Sequence, residues 1–136
     1  MSSMALGKMS LRLELFVQDM ERSVNFYCRV LGFEILRSSS DYASLQNGSV
    51  ILGLGPISKL AEQEGYFTRT RLSTQERGLG VEIVFEVKDV RGMYERVQTA
   101  GYAIFEPLQQ QSWGLEDFRI VDPDGYYLRI TSRRER

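Results

Sequence analysis

Acids and arginines are the side chains of this 136-residue chain that could do chemistry, because it contains no histidine. Histidine triads, Cys/His dyads and imidazole metal sites are therefore excluded. The one cysteine, Cys28, can form no internal disulfide. That fits a reducing compartment, and its place within a helical stretch reads as packing rather than nucleophilic chemistry. What remains are charges on alternating stretches, with Arg12 and Glu14 in one and Glu82 and Glu86 in another. Two carboxylates, Asp122 and Asp124, and one large flat ring, Trp113, complete the set. The aspartates fall in the run D-P-D-G, which supplies the residues of a tight type I turn and sets no base beside them. They are read as a turn. Charged residues alternating with apolar ones also describe any half-exposed strand, and solvent exposure is the reading for Glu14 and Glu86.

The elements that must position these groups occur twice. Leu11, Leu13, Leu15 and Val17 alternate with Arg12, Glu14, Phe16 and Gln18, the period of a strand with one buried face. Asp19 can cap the helix that follows, Val24, Tyr27 and Leu31 recur at helical spacing, and Gly32 ends it. From residue 81 the same order returns, with Val81, Ile83, Phe85 and Val87, then Asp89, then Met93, Tyr94, Val97 and Ala100, then Gly101. The first copy continues with strands over residues 33–37, 42–46 and 49–54. Asn47-Gly48 makes the hairpin turn between the last two. The second continues with a strand over residues 102–106, the polar run Q-Q-Q-S, and two strands joined at D-P-D-G. The expectation is one α+β domain over residues 1–136. It contains a βαβββ module at 10–55, a linker at 56–80 with a short helix near 58–64, and a second βαβββ module at 81–132. Residues 1 to about 9 read as a frayed leader.

Bulk composition narrows the partners. The net charge is −1 with both signs interspersed, so there is no basic footprint for nucleic acid. No apolar run approaches the roughly 20 residues of a membrane span, and the N-terminus lacks the apolar block of a secretory signal. A cytoplasmic protein is expected.

The signature D-x-x-x-S-x-x-F-Y-x-x-x-L-G-F from Asp19 to Phe33, W-G-x-x-x-F-x-x-x-D-P-D-G from Trp113 to Gly125, and the paired βαβββ units carry a resemblance. The chain resembles the vicinal oxygen chelate superfamily of glyoxalase I, extradiol dioxygenases, fosfomycin-resistance enzymes and bleomycin-resistance proteins. The resemblance covers nearly all of it and implies two modules whose mixed sheet curls into a cup with helices outside, commonly in a homodimer. Such motifs are specific for fold and weak for function.

Metal-using members of that superfamily hold one ligand on each of four strands, and the resemblance places those positions at Arg12, Leu52, Glu82 and Arg129. Arginine is permanently cationic and has no lone pair to give a metal. No cofactor and no metal are therefore expected. A hard cation on Glu82 with Glu14 or Glu86 is the metal reading that remains. The leading expectation is a metal-independent protein of the bleomycin-resistance type that holds an anionic or aromatic small molecule. Arg12, Phe16, Leu52, Glu82, Trp113, Tyr127 and Arg129 would line the cup. One alternative is an enzyme with Glu82 as general base and Arg12 or Arg129 stabilising developing charge. Another is a dimer whose cup is filled by its own side chains.

Overall fold

The computed structural model describes residues 6–134, so the first five residues of the leader lie outside the described residues. Strand β1 (Arg12–Val17) runs into α1 (Met20–Asn25), whose last turns widen into a π segment over Phe26–Val30. Strands β2 (Glu34–Ser38), β3 (Ala43–Asn47) and β4 (Val50–Pro56) follow. After the linker, which carries α2 (Arg69–Thr74), come β5 (Ile83–Val87), α3 (Val90–Thr99), β6 (Glu106–Gln110), β7 (Glu116–Val121) and β8 (Tyr127–Ser132). Each unit forms a four-stranded mixed sheet. The orders are β1-β4-β3-β2 and β5-β8-β7-β6, with the first strand of each unit parallel to the last. The two first strands are thus edges, as a βα crossover followed by a meander requires.

Two stretches differ from the sequence reading. The strand expected over residues 102–106 lies at Glu106–Gln110 instead. Pro107 sits within it because β6 is an edge strand with an irregularity between Glu106 and Gln109, where a missing backbone donor is tolerated. Gln109 and Gln110 of the polar run are therefore strand, while Gln111 lies just beyond it. In the linker, a 3-10 turn at Ile57–Lys59 and the later helix α2 replace a helix near 58–64.

One core spans both sheets. Val17, Leu45, Leu52 and Leu54 of the first unit and Phe118, Ile120 and Leu128 of the second are fully enclosed, with Phe26, Tyr27 and Val97 from the helices. The widened last turns of α1 bring both Phe26 and Tyr27 to its buried side, where they meet edge to face. Among the described residues, no helix is long and apolar enough to cross a membrane.

The two sequence signatures meet each other in space. Tyr27 Oη donates to Asp122 Oδ2 at 2.7 Å, Ser23 Oγ donates to Asp124 Oδ2 at 3.2 Å, and the backbone N–H of Gln18 donates to Asp124 Oδ1 at 2.7 Å. Asp122 Oδ1 also accepts the backbone N–H groups of Asp124 and Tyr126, both at 2.9 Å, which makes the D-P-D-G turn rigid. From the other unit, Arg96 donates to the carbonyls of Val30 and Arg29 at the end of α1. The aspartates are joint residues that fasten one unit to the other.

Candidate functional site

Alternation along each strand sends every second side chain away from the core. On β1 these are Arg12, Glu14 and Phe16, and the core takes Leu13, Leu15 and Val17. On β5 and β8 the same rule turns Val84, Tyr127 and Arg129 outward, with Glu82 just before β5 in the same phase. Between the exposed edges of β1 and β5 lies an open cleft of about 1020 Å³. It is lined by Arg12, Glu14 and Ile51 from one unit and Glu82, Val84 and Phe85 from the other. A second pocket, near Leu31, Phe33, Phe85 and Met93, has a volume of about 50 Å³, too small for an organic ligand.

On the first unit's side, Glu14 is the organising group. Its carboxylate accepts the Tyr42 hydroxyl at 2.8 and 2.9 Å and pairs with Arg12 Nε at 3.3 Å. Burial, then the hydrogen bond to Glu14, pushes the Tyr42 phenol above its ordinary pKa. Gly53 on β4 makes the arrangement possible, because a Cβ there would collide with Glu14 Oε2 and the Tyr42 hydroxyl. Farther along β1, Phe16 lies over Gly55 and stacks at 4.5 Å, tilted, on Phe67 of the linker.

On the second unit's side, Arg119 and Arg129 are direct cross-strand neighbours on β7 and β8. Two like charges so placed repel. Carboxylates answer them: Glu82 pairs with Arg129 Nη2 at 3.1 Å and Arg119 Nε at 3.8 Å, and Glu106 pairs with Arg119 Nη1 at 3.1 Å. Beneath both lies Asp117, 1% exposed, with its Oδ2 3.6 Å from Arg119 and 3.8 Å from Arg129. Its Oδ1 accepts from Gln111 at 2.8 Å. Burial works against the Arg119 guanidinium, but Asp117, Tyr127, Glu82 and Glu106 outweigh it and raise its pKa. Tyr127 meets Phe105 edge to face at 5.6 Å.

The structure thus brings Arg12 and Glu82 to one cleft and ties Arg129 to Glu82. Phe16 and Tyr127 lie on the same outward phase of their strands, but they and Arg129 are not among the residues lining the cleft. Leu52 is a correction. It is fully buried, paired in register with Leu13 and Leu45, so its side chain points into the core. The strand phase is one residue off the position that the resemblance assigned, and Gly53 takes the outward position. Trp113 is half exposed on the β6–β7 turn and is not among the residues lining the cleft; its carbonyl accepts from Arg134 at 2.7 Å. Glu14 is no bystander either, since it holds Arg12 and Tyr42.

Arg119, Asp117, Glu106 and Phe67 were missed. The first two were legible in the alternation of E-D-F-R-I-V, where Phe118 and Ile120 face the core and Asp117 and Arg119 do not. Glu106 was placed at the end of a strand whose position was wrong. Nothing local announced Phe67, because its role depends on how the linker folds back.

Two βαβββ units on one core, with a cleft between their first strands, define a cup-shaped α+β protein. A family model, the Glyoxalase/Bleomycin resistance protein/Dioxygenase superfamily, matches residues 10–130, and the chain belongs to that superfamily. It is 29% identical over 117 residues to bleomycin resistance proteins of Geobacillus stearothermophilus and Staphylococcus aureus, covering 79% of this chain and 84% of each relative. Among solved structures it is similar to TioX from Micromonospora sp. ML1, with a TM-score of 0.71 and 25% identity over 93% of this chain and 100% of that one. It also shares its fold with a bleomycin-binding protein complexed with bleomycin, with a TM-score of 0.63 and 19% identity over 93% of this chain and 100% of that one.

Metal-using members of such a superfamily need several anionic or neutral donors converging on one ion. The positions that the resemblance assigns to those donors are Arg12, Leu52, Glu82 and Arg129; Leu52 points into the core, and the space beside its outward neighbour Gly53 is taken by Glu14 and Tyr42. Among the described residues, no group of three His, Cys, Asp or Glu side chains is placed to hold a metal ion. In a hard-cation site on Glu82 with Glu14 or Glu86, Glu82 is already paired with Arg129 and Arg119 and Glu14 with Arg12 and Tyr42, so a cation would have to displace guanidiniums, and this donor set does not fit it.

Proposed function

We propose that this chain is a metal-independent small-molecule-binding protein whose ligand, an aromatic molecule with an acidic group, enters the cleft between β1 and β5. The cleft itself carries the proposal. Its volume suits an organic ligand, its lining mixes apolar side chains with a few convergent charges, and it lies between the two units of a family whose relatives include bleomycin resistance proteins. The charges refine the ligand. Arg12, Arg119 and Arg129 are each answered by a carboxylate, so an acidic group must share an arginine with Glu14 or Glu82. Aromatic contact therefore supplies more of the affinity than charge does. An enzymatic role for Glu82 is disfavoured, because taking a substrate proton would disrupt its ion pairs with Arg129 and Arg119.

In this reading the protein acts as a cytoplasmic homodimer. The edge strand β2, which leaves Ile35 and Leu36 half exposed, is the apolar surface that supports a contact between copies. The test is thermal stability against a panel of aromatic carboxylates, at about a hundredfold excess over the dissociation constant. A true ligand then adds roughly 2.7 kcal/mol. Arg12→Ala should weaken the effect. A panel with no stabilising compound, and no dependence on Arg12, would end the proposal.

A further inference from the structure

Tyr66 and Phe67 come from the linker, yet they extend the outward face of β1. Phe67 packs on Phe16 at 4.5 Å, and Tyr66 meets Phe67 edge to face at 5.0 Å. Arg71 lies 4.6 Å over the Tyr66 ring and donates to the Tyr66 carbonyl at 3.3 Å. This stretch is fastened. Thr68 is buried and its Oγ1 caps α2, and the N–H groups of Arg69 and Thr70 donate to the carbonyls of Ala61 and Glu62. Three aromatic rings are thus held in place, yet Phe67 remains 46% and Tyr66 70% exposed. A cover for the core would hide its rings. These stay open, beside a length of β4 that carries glycine at Gly53 and Gly55, with Phe16 over the latter.

Building on the cleft-binding reading, we infer that Phe16, Phe67 and Tyr66 form a shelf on which a planar aromatic ring of the ligand stacks, so that the linker sets ligand selectivity. Phe16 and Arg12 are four residues apart on one strand, about 13 Å at the usual rise. A ligand that engages both is consequently elongated, with its flat ring at the Phe16 end and its acidic group toward Arg12. Bulkier, non-planar ligands of the same polarity are rejected, because only a flat ring presents a complementary face to Phe67.

The test uses two uncharged fragments with the same carbon skeleton, 2-naphthol and decahydro-2-naphthol, so that the arginines play no part. Ligand-observed NMR titration of the full chain should show 2-naphthol binding more tightly than its saturated counterpart. Phe67→Ala should weaken 2-naphthol by about three- to tenfold, with Tyr66→Ala smaller, and Phe67→Trp should retain it. Both alanine variants should melt near the wild-type temperature, since the rings are exposed. If aromatic carboxylates stabilise the protein through Arg12 while 2-naphthol binding ignores Phe67, the shelf is wrong and the cleft reading survives. If neither class of compound binds wild type, the cleft reading fails and the shelf with it. If Phe67→Ala changes the sedimentation behaviour and leaves 2-naphthol affinity unchanged, the rings are a contact between copies and the inference is overturned.

Discussion

Asp117 is the residue on which the charged half of the site rests. It lies 1% exposed beneath two arginines that are cross-strand neighbours, and one of its oxygens is satisfied by Gln111. Its other oxygen has no hydrogen bond and faces both guanidiniums. Removing one partner of a buried ion pair usually costs about 3–5 kcal/mol, because the remaining charge is left without compensation. The arginines are one-fifth exposed and can turn partly toward water, which places Asp117→Ala near the lower end, about 3 kcal/mol. Urea denaturation should show this as a lower midpoint at unchanged slope; a loss under 1 kcal/mol would mean that Glu82 and Glu106 alone hold the arginines. The sequence made Arg129 visible and left Asp117 in the shade. A motif carried the first into view, whereas the second stood in an alternation that reads like any half-exposed strand until its partner strands are known.

At the scale of elements, the joint between α1 and the β7–β8 turn decides how the two units meet. Tyr27 is fully enclosed there, and burial, then the charge of Asp122, holds its phenol well above the ordinary value. Tyr102, whose hydroxyl donates to the Val121 carbonyl, is pushed up to about 12, mainly by burial. Both phenols have a higher pKa folded than unfolded. Their contribution to stability is complete below the unfolded value near 10 and is lost as pH rises beyond it, because the unfolded chain releases those protons first. Stability measured by urea should therefore fall steadily above pH 10. Tyr27→Phe should flatten that fall and cost about 1–3 kcal/mol at neutral pH, since an oxygen of the buried Asp122 loses its donor. An unchanged alkaline slope in Tyr27→Phe would remove the phenol from the account. The turn itself was legible in D-P-D-G, and the helix in its Asp cap and apolar spacing. That the two belong to one contact was not, because 95 residues separate Tyr27 from Asp122.

For the whole molecule, the repeat of strand and helix made the architecture legible, since each first strand needs a later strand of its own unit beside it and each helix needs a sheet to cover. Side-chain phase was harder. The resemblance placed Leu52 outward, and a shift of one residue sends it to the core and turns Gly53 outward instead. The linker was the least legible part, because its helix is short and Tyr66 and Phe67 acquire a role only against Phe16. The central claim is that a small molecule lies between the two first strands. Backbone amide NMR of the full chain, titrated with an aromatic carboxylate that stabilises it, tests this most directly. The account predicts the largest shifts in β1, around Arg12 to Phe16, and in the start of β5 beside Glu82. Shifts confined to the β2 edge or the β6–β7 turn, with β1 and β5 unmoved, would contradict it.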